Sequence, residues 1–112
     1  PRLDASLLAE TKKLVANVTV SDAIASYVLA LVQATRHDNR VRLGISPRGG
    51  IALVTAAKAF ATLNGRTYVD PSDIQTLLDP VFGHRLIAKD PTLSTATILA
   101  DILQNTAVPI RG

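Results

Sequence analysis

Apolar positions return every three to four residues in five segments of this chain, and no stretch alternates for long enough to build a sheet. The spacing predicts helices over residues 4–16, 21–36, 46–63, from 70 onward, and 94–105. In the first, Leu7, Leu8, Thr11, Leu14 and Val15 share a face behind Asp4 as N-cap. In the second, Ile24, Tyr27, Val28, Leu31 and Val32 form the stripe, with Ser21 or Asp22 as cap. The third opens on Ser46-Pro47-Arg48: serine suits the N-cap, and proline suits the next position, where its missing N–H costs nothing. Its stripe is Leu53, Ala56, Ala57, Phe60 and Ala61, and Asn64-Gly65 is its stop. The fourth opens on Asp70-Pro71-Ser72-Asp73, a capping signal, and carries Ile74, Leu77, Leu78 and Val81. Pro80 removes an interior donor, which predicts a kink or a restart capped by Asp79. The fifth buries Ile98, Leu99, Ile102 and Leu103, with breaks at Asp90-Pro91 and Pro109.

Two short β-like pieces, 41–43 and 67–69, each precede a helix start and could pair with each other. The expected fold is all-α, a small helical bundle forming one domain over residues 1–112. An apolar fraction of 47% in 112 residues is enough for one core and argues against disorder. The longest uncharged run, Ala23 to Thr35, is 13 residues, short of the roughly 18 that a spanning helix needs. With no cysteine, thiolate metal sites and thiol nucleophiles are excluded. Pro1 at the start and the lack of any methionine suggest a piece of a longer chain, and a cytoplasmic setting is expected.

The net charge of +3 changes the picture because of where it sits. Arg36, Arg40, Arg42 and Arg48 face Asp38 alone within residues 36–48, and the rest of the chain is neutral. Arg48 stands out, since a cation at the second position of a helix opposes the dipole by about 0.3–1 kcal/mol. An anion there would reverse the sign, and a guanidinium offers paired donors to phosphate oxygens.

Self-contained catalytic chemistry is missing. Gly44 to Gly49 has the glycine spacing of a P-loop, but Gly50-Ile51 stands where Lys and Ser/Thr belong. Gly44-Ile45-Ser46-Pro47-Arg48 fails the nucleophile-elbow pattern at its fifth residue, which leaves Ser46 as a cap. His37 and His84 lie far apart, so no metal site is expected. Asp70 and Asp73 suit capping better than acid–base work.

One ordered set of residues carries a resemblance. Val20-Ser21-Asp22, Tyr27-Val28, Ala34-Thr35-Arg36 and Leu43-Gly44-Ile45-Ser46-Pro47-Arg48-Gly49 are followed by Ala52-Leu53, Ala57 and Ala61. Gly65-Arg66, Tyr68-Val69, Pro71, Asp73-Ile74 and His84-Arg85-Leu86 complete it. In order and spacing this resembles the C-terminal helical lid domain of MoxR-type AAA+ ATPases, over about residues 18–86. The resemblance implies a fragment of a larger ATPase whose nucleotide-binding core is absent. It implies ATP and Mg2+ as ligands of the full-length protein, with none expected for the fragment alone. It makes Arg48 the sensor-2 arginine, which contacts the terminal phosphate and couples hydrolysis to lid motion. Ser46 and Gly49 flank it as nucleotide-binding candidates. Tyr27 is a further candidate for the base or ribose, although its stripe position suits a core residue. The implied partners are the protein's own core, neighbouring subunits of a hexameric ring, and von Willebrand factor A domain proteins in a chaperone-like setting. The departures are Gly49-Gly50, where the family more often has a helix former, and Pro80.

Two other readings compete. A small basic nucleic-acid-binding domain fits the pI near 9.7, but only four aromatics are present and helix 46–63 carries only Arg48 and Lys58. A protein-binding adaptor fits the apolar surplus, which a lid parted from its core would also expose.

Overall fold

The computed structural model describes residues 13–109, so residues 4–12 of the first expected helix lie outside the described residues, while 13–16 are helical. Four longer helices follow: α1 (Asp22–His37), α2 (Pro47–Leu63), α3 (Pro71–Phe82) and α4 (Thr95–Asn105). A two-stranded antiparallel ribbon joins β1 (Val41–Leu43) to β2 (Ile87–Ala88).

Local capping chemistry sets the helix limits. Ser21, Ser46 and Ser94 each accept a backbone N–H from the first turn of their helix. Asp70 and Asp73 form a reciprocal capping box at the start of α3, with Pro71 behind the cap. At the end of α2, Arg66 N–H bonds the Ala61 carbonyl at 2.9 Å and Gly65 N–H the Thr62 carbonyl at 3.0 Å. That is a Schellman closure, and Gly65 supplies its left-handed residue at φ 72°.

α1 and α2 pack as a hairpin, α2 lies along α3, and α4 closes against α1 and α3. The core joins Leu31, Ile45, Leu53, Ile74, Leu78, Phe82, Ile98 and Leu99, each buried to 2% exposure or less. Every stripe residue expected on α1 is buried. On α2 and α3 the stripe turns slightly. Phe60, Ala56, Leu77 and Val81 are half-buried, and Phe82, absent from the expected stripe, is fully enclosed.

One expected pairing needs correction, and of the kink or restart expected at Pro80 the restart is excluded. The pieces 41–43 and 67–69 do not pair. Thr19 and Tyr68 form a parallel bridge instead, with Val69 N–H on the Thr19 carbonyl at 2.9 Å. The reason is geometric: 41–43 follows the C-terminus of α1, whereas 67–69 follows the C-terminus of the antiparallel α2. A helix of 16 residues therefore separates them, about 24 Å. β1 pairs with β2, and Lys89 N–H bonds the Arg40 carbonyl at 2.8 Å. Nor does α3 restart at Asp79. It continues through Pro80 to Phe82, and Gly83 N–H reaches the Asp79 carbonyl at 2.8 Å. Pro80 is exposed in the last turn, and burial of Phe82 just beyond it holds that turn to the core.

Gly49 and Gly50 are buried by packing within the chain. A Cβ on Gly49 would stand 2.5 Å from Ile45 Cγ2, and one on Gly50 would stand 3.1 Å from Val32 Cγ2. Gly49→Ala is therefore expected to destabilise by about 1–2 kcal/mol, since overpacking against an enclosed isoleucine outweighs the gain in helix propensity. Gly50→Ala, where Val32 need give only a few tenths of an ångström, should cost less than Gly49→Ala, since the gain in helix propensity of about 0.5–1 kcal/mol offsets a milder overpacking. Urea denaturation of the two variants checks this, and equal midpoints would contradict the packing assignment.

Candidate functional site

The site grows from the start of α2. Ser46 adopts extended backbone at φ −80° and ψ 166°, and its hydroxyl accepts the Gly49 N–H at 3.4 Å. Its carbonyl accepts the same N–H at 2.9 Å and the Gly50 N–H at 3.2 Å. Pro47 fixes the first helical residue, which places Arg48 at the second. Arg48 is exposed and has no ion pair or side-chain hydrogen bond among the described residues. The first turn of α2 contains no acid. A guanidinium therefore stands at the positive end of a 17-residue helix with no acid in its first turn.

The segment leading into that turn is fixed on several sides. Arg40 holds Asp38 through Nη2 at 2.8 Å and Nε at 3.0 Å, and reaches Asp101 on α4 through Nη1 at 2.7 Å. Donation from Arg40 holds the Asp38 carboxyl below the usual carboxylate range. A lowered carboxylate pKa contributes stability above its ordinary value and loses it as the pH falls through the lowered one. The clamp is thus intact at neutral pH. Further on, β1 pairs with β2, and Ile45 N–H enters the core to meet Thr35 Oγ1 at 3.0 Å.

The basic cluster of residues 36–48 consequently divides. Arg40 is a tie between the loop and α4, whereas Arg36, Arg42 and Arg48 are exposed without a carboxylate partner among the described residues. Of the other candidates, Ser46 is the N-cap and Gly49 is packed beneath Ile45. Tyr27 is 3% exposed, and its hydroxyl accepts from Gln75 Nε2 at 3.4 Å. The structure therefore brings Arg48 and Ser46 to the surface of one turn and leaves Tyr27 and Gly49 in the interior.

Two features were not singled out as site residues by the sequence. Arg85, from the turn after α3, passes over the start of α2, its Cδ 3.6 Å from the position a Cβ on Gly49 would take. A groove of about 640 Å³ also runs between α1 and α2. Leu29 and Ile51, 56% and 66% exposed, line it with Val32 and Val54. Arg36 and Lys58 also line it, and no acidic residue does so among the described residues. The helix stripes hid it because Leu29 and Ile51 fall off the core faces.

Among the described residues no group of three or more His, Cys, Asp or Glu could hold a metal ion. No helix among them is long and apolar enough to cross a membrane.

Comparison with known proteins agrees with this geometry. A family model for the AAA lid domain matches residues 33–105. The chain is 41% identical over 101 residues to YeaC of Bacillus subtilis, a protein of uncharacterized function, covering 87% of this chain and 32% of that one. It is 30% identical over 115 residues to Chaperone MoxR1 of Mycobacterium tuberculosis, covering 91% and 30%. A crystal structure from Cytophaga hutchinsonii, of a protein provisionally classed as an ATPase, matches with a TM-score of 0.86 at 28% identity. That match covers 94% of this chain and 36% of the other. The chain spans about a third of the length of these relatives. With the family model matching residues 33–105, which include the Gly-x-Ser-Pro-Arg turn, the chain belongs to the AAA lid domain family, among MoxR-type relatives.

Proposed function

We propose that this chain is the lid of a MoxR-type AAA+ ATPase and that Arg48 is its sensor-2 arginine. The observation that carries the reading is an exposed guanidinium with no carboxylate partner among the described residues, at the second position of α2. Such a group is placed at a dipole cost and offers two parallel donors to an anion. ATP bound to the rest of the protein supplies the anion, as a terminal phosphate whose negative charge must be met during transfer. In this reading Arg48 meets that charge and Ser46 holds the turn that carries it. Tyr27 and Gly49 serve packing. In this reading Mg2+ travels with the nucleotide, held by its phosphates and by the nucleotide-binding part of the full-length protein.

The groove between α1 and α2 is the surface for that remaining part. Its exposed leucine and isoleucine are of the kind that soluble proteins cover, and roughly two thirds of the relatives' length lies outside this chain. Arg48 then works beside its own core or at the nucleotide of the next subunit of a ring, in a chaperone-like ATPase. A nucleic-acid reading loses support because Arg40 is committed to Asp38 and Asp101.

The experiment is a pair. Calorimetric titration of residues 1–112 with ATP is expected to show no binding tighter than about micromolar, and phosphate release should be absent. The full-length protein should turn over ATP, and deletion of this domain should abolish that turnover. Tight ATP binding by the isolated domain, or unaltered turnover without it, contradicts the reading.

A further inference from the structure

Thr35 is fully buried near the end of α1, one of two enclosed polar side chains among the described residues. Its hydroxyl donates to the Val32 carbonyl at 2.7 Å and accepts the Ile45 N–H at 3.0 Å. The hydroxyl does both from one atom, and a valine of the same shape does neither. Ile45 is 1% exposed and immediately precedes the N-cap Ser46. Its side chain lies over Gly49, where even a methyl group would stand 2.5 Å from Cγ2. The chain therefore enters α2 with one residue fixed twice, by its N–H on Thr35 and by its side chain on the first turn. Arg48 follows three residues later.

We infer that Thr35 is a positioning residue for Arg48. Its hydroxyl sets the path by which the chain enters α2, and so the place from which the guanidinium reaches a phosphate. The inference rests on the reading of Arg48 given above. Thr35 itself is enclosed and touches no ligand. Without the hydroxyl, the Ile45 N–H is left in an apolar interior with no acceptor, and the lead-in must shift to find one. Such a shift leaves the bundle in place and misdirects Arg48.

The test is a double-mutant cycle in the full-length protein, read as ATP turnover at saturating ATP. Each variant is assayed at a temperature where its circular dichroism and assembly state match the parent. Thr35→Val is expected to lower turnover about three- to tenfold, short of the roughly 10²-fold that a full misplacement can cost. Thr35→Ser should restore most of it. In an Arg48→Ala background, Thr35→Val should cause no further loss, because both changes remove the same interaction. An equal loss from Thr35→Val with and without Arg48 would show a general structural role and overturn the inference. Unchanged turnover in Thr35→Val alone overturns it as well. If Arg48→Ala itself leaves turnover intact, the sensor reading fails first, and the two failures are told apart. Should Thr35→Val unfold at the assay temperature, Thr35→Cys, a weaker donor and acceptor, takes its place under the same criteria.

Discussion

Replacing Arg48 by alanine in the full-length protein is expected to lower ATP turnover about ten- to a hundredfold. Arginines that meet charge in phosphoryl transfer reach 10³–10⁵ in rate at the upper end, and one that also moves a lid should fall below that. Stability should change by no more than about 0.5 kcal/mol. Ser46 and Pro47 set the helix start, and Arg48 itself is exposed without a partner among the described residues. Arg48→Lys should recover only part of the rate, since an ammonium keeps the charge and loses the paired donors. The control must be another exposed arginine of the same loop. Arg40 is unsuitable, because its loss breaks the tie to Asp38 and Asp101. Arg42, exposed on β1, has no ion pair among the described residues. Equal losses from Arg42→Ala and Arg48→Ala would reduce the effect to general electrostatics. Intact turnover in Arg48→Ala would end the sensor assignment.

The largest effect on stability is expected at Asp73. Its carboxylate is 1% exposed and accepts three hydrogen bonds: from Arg66 Nη1 at 2.7 Å, Arg66 Nη2 at 2.6 Å and Asp70 N–H at 2.8 Å. Arg66 also lies over the Tyr68 ring, 5.7 Å from its centroid, and donates to the Tyr68 carbonyl. One carboxylate thus closes the α3 cap and ties the end of α2 to the start of α3. Asp73→Ala is expected to cost about 3 kcal/mol, at the lower end for a broken buried pair because the guanidinium can turn to water. For a domain of this size that corresponds to about 10–15 °C in melting temperature. Asp73→Asn separates the two roles. It can still accept the Asp70 N–H, but it presents an amide to the guanidinium. A melting temperature near the parent would make the cap dominant, and one near Asp73→Ala would make the ion pair dominant.

The legible part of this fold is the part written in local chemistry. Ser21, Ser46-Pro47, Asp70-Pro71-Ser72-Asp73 and Asn64-Gly65 mark helix ends because their partners lie within a few residues. Arg48 was legible for the same reason, as a cation at a helix start. What stayed hidden depends on residues distant in sequence. Phe60 and Phe82 look alike as apolar positions, and only the neighbours α3 meets make Phe82 the enclosed one. β2 is two residues long and carries no period. The basic loop reads as uniformly free until α4 delivers Asp101 to Arg40. Gly49 reads as a nucleotide-binding candidate until Ile45 is seen folded over it.

The tie between Arg40 and Asp101 spans 61 residues, and the β1–β2 pairing joins Val41 to Ala88. On a ribosome, contacts between neighbouring segments can form as the chain emerges, whereas contacts of this range must wait for their second half. The α1–α2 hairpin is available first, and its connecting loop is not. At about 5–20 residues per second, several seconds pass between the emergence of Arg40 and that of Asp101. Until residue 88 emerges the loop between α1 and α2 lacks its strand partner, and until residue 101 emerges it lacks its α4 anchor. The loop that leads into α2 is therefore fixed later than the two helices it joins.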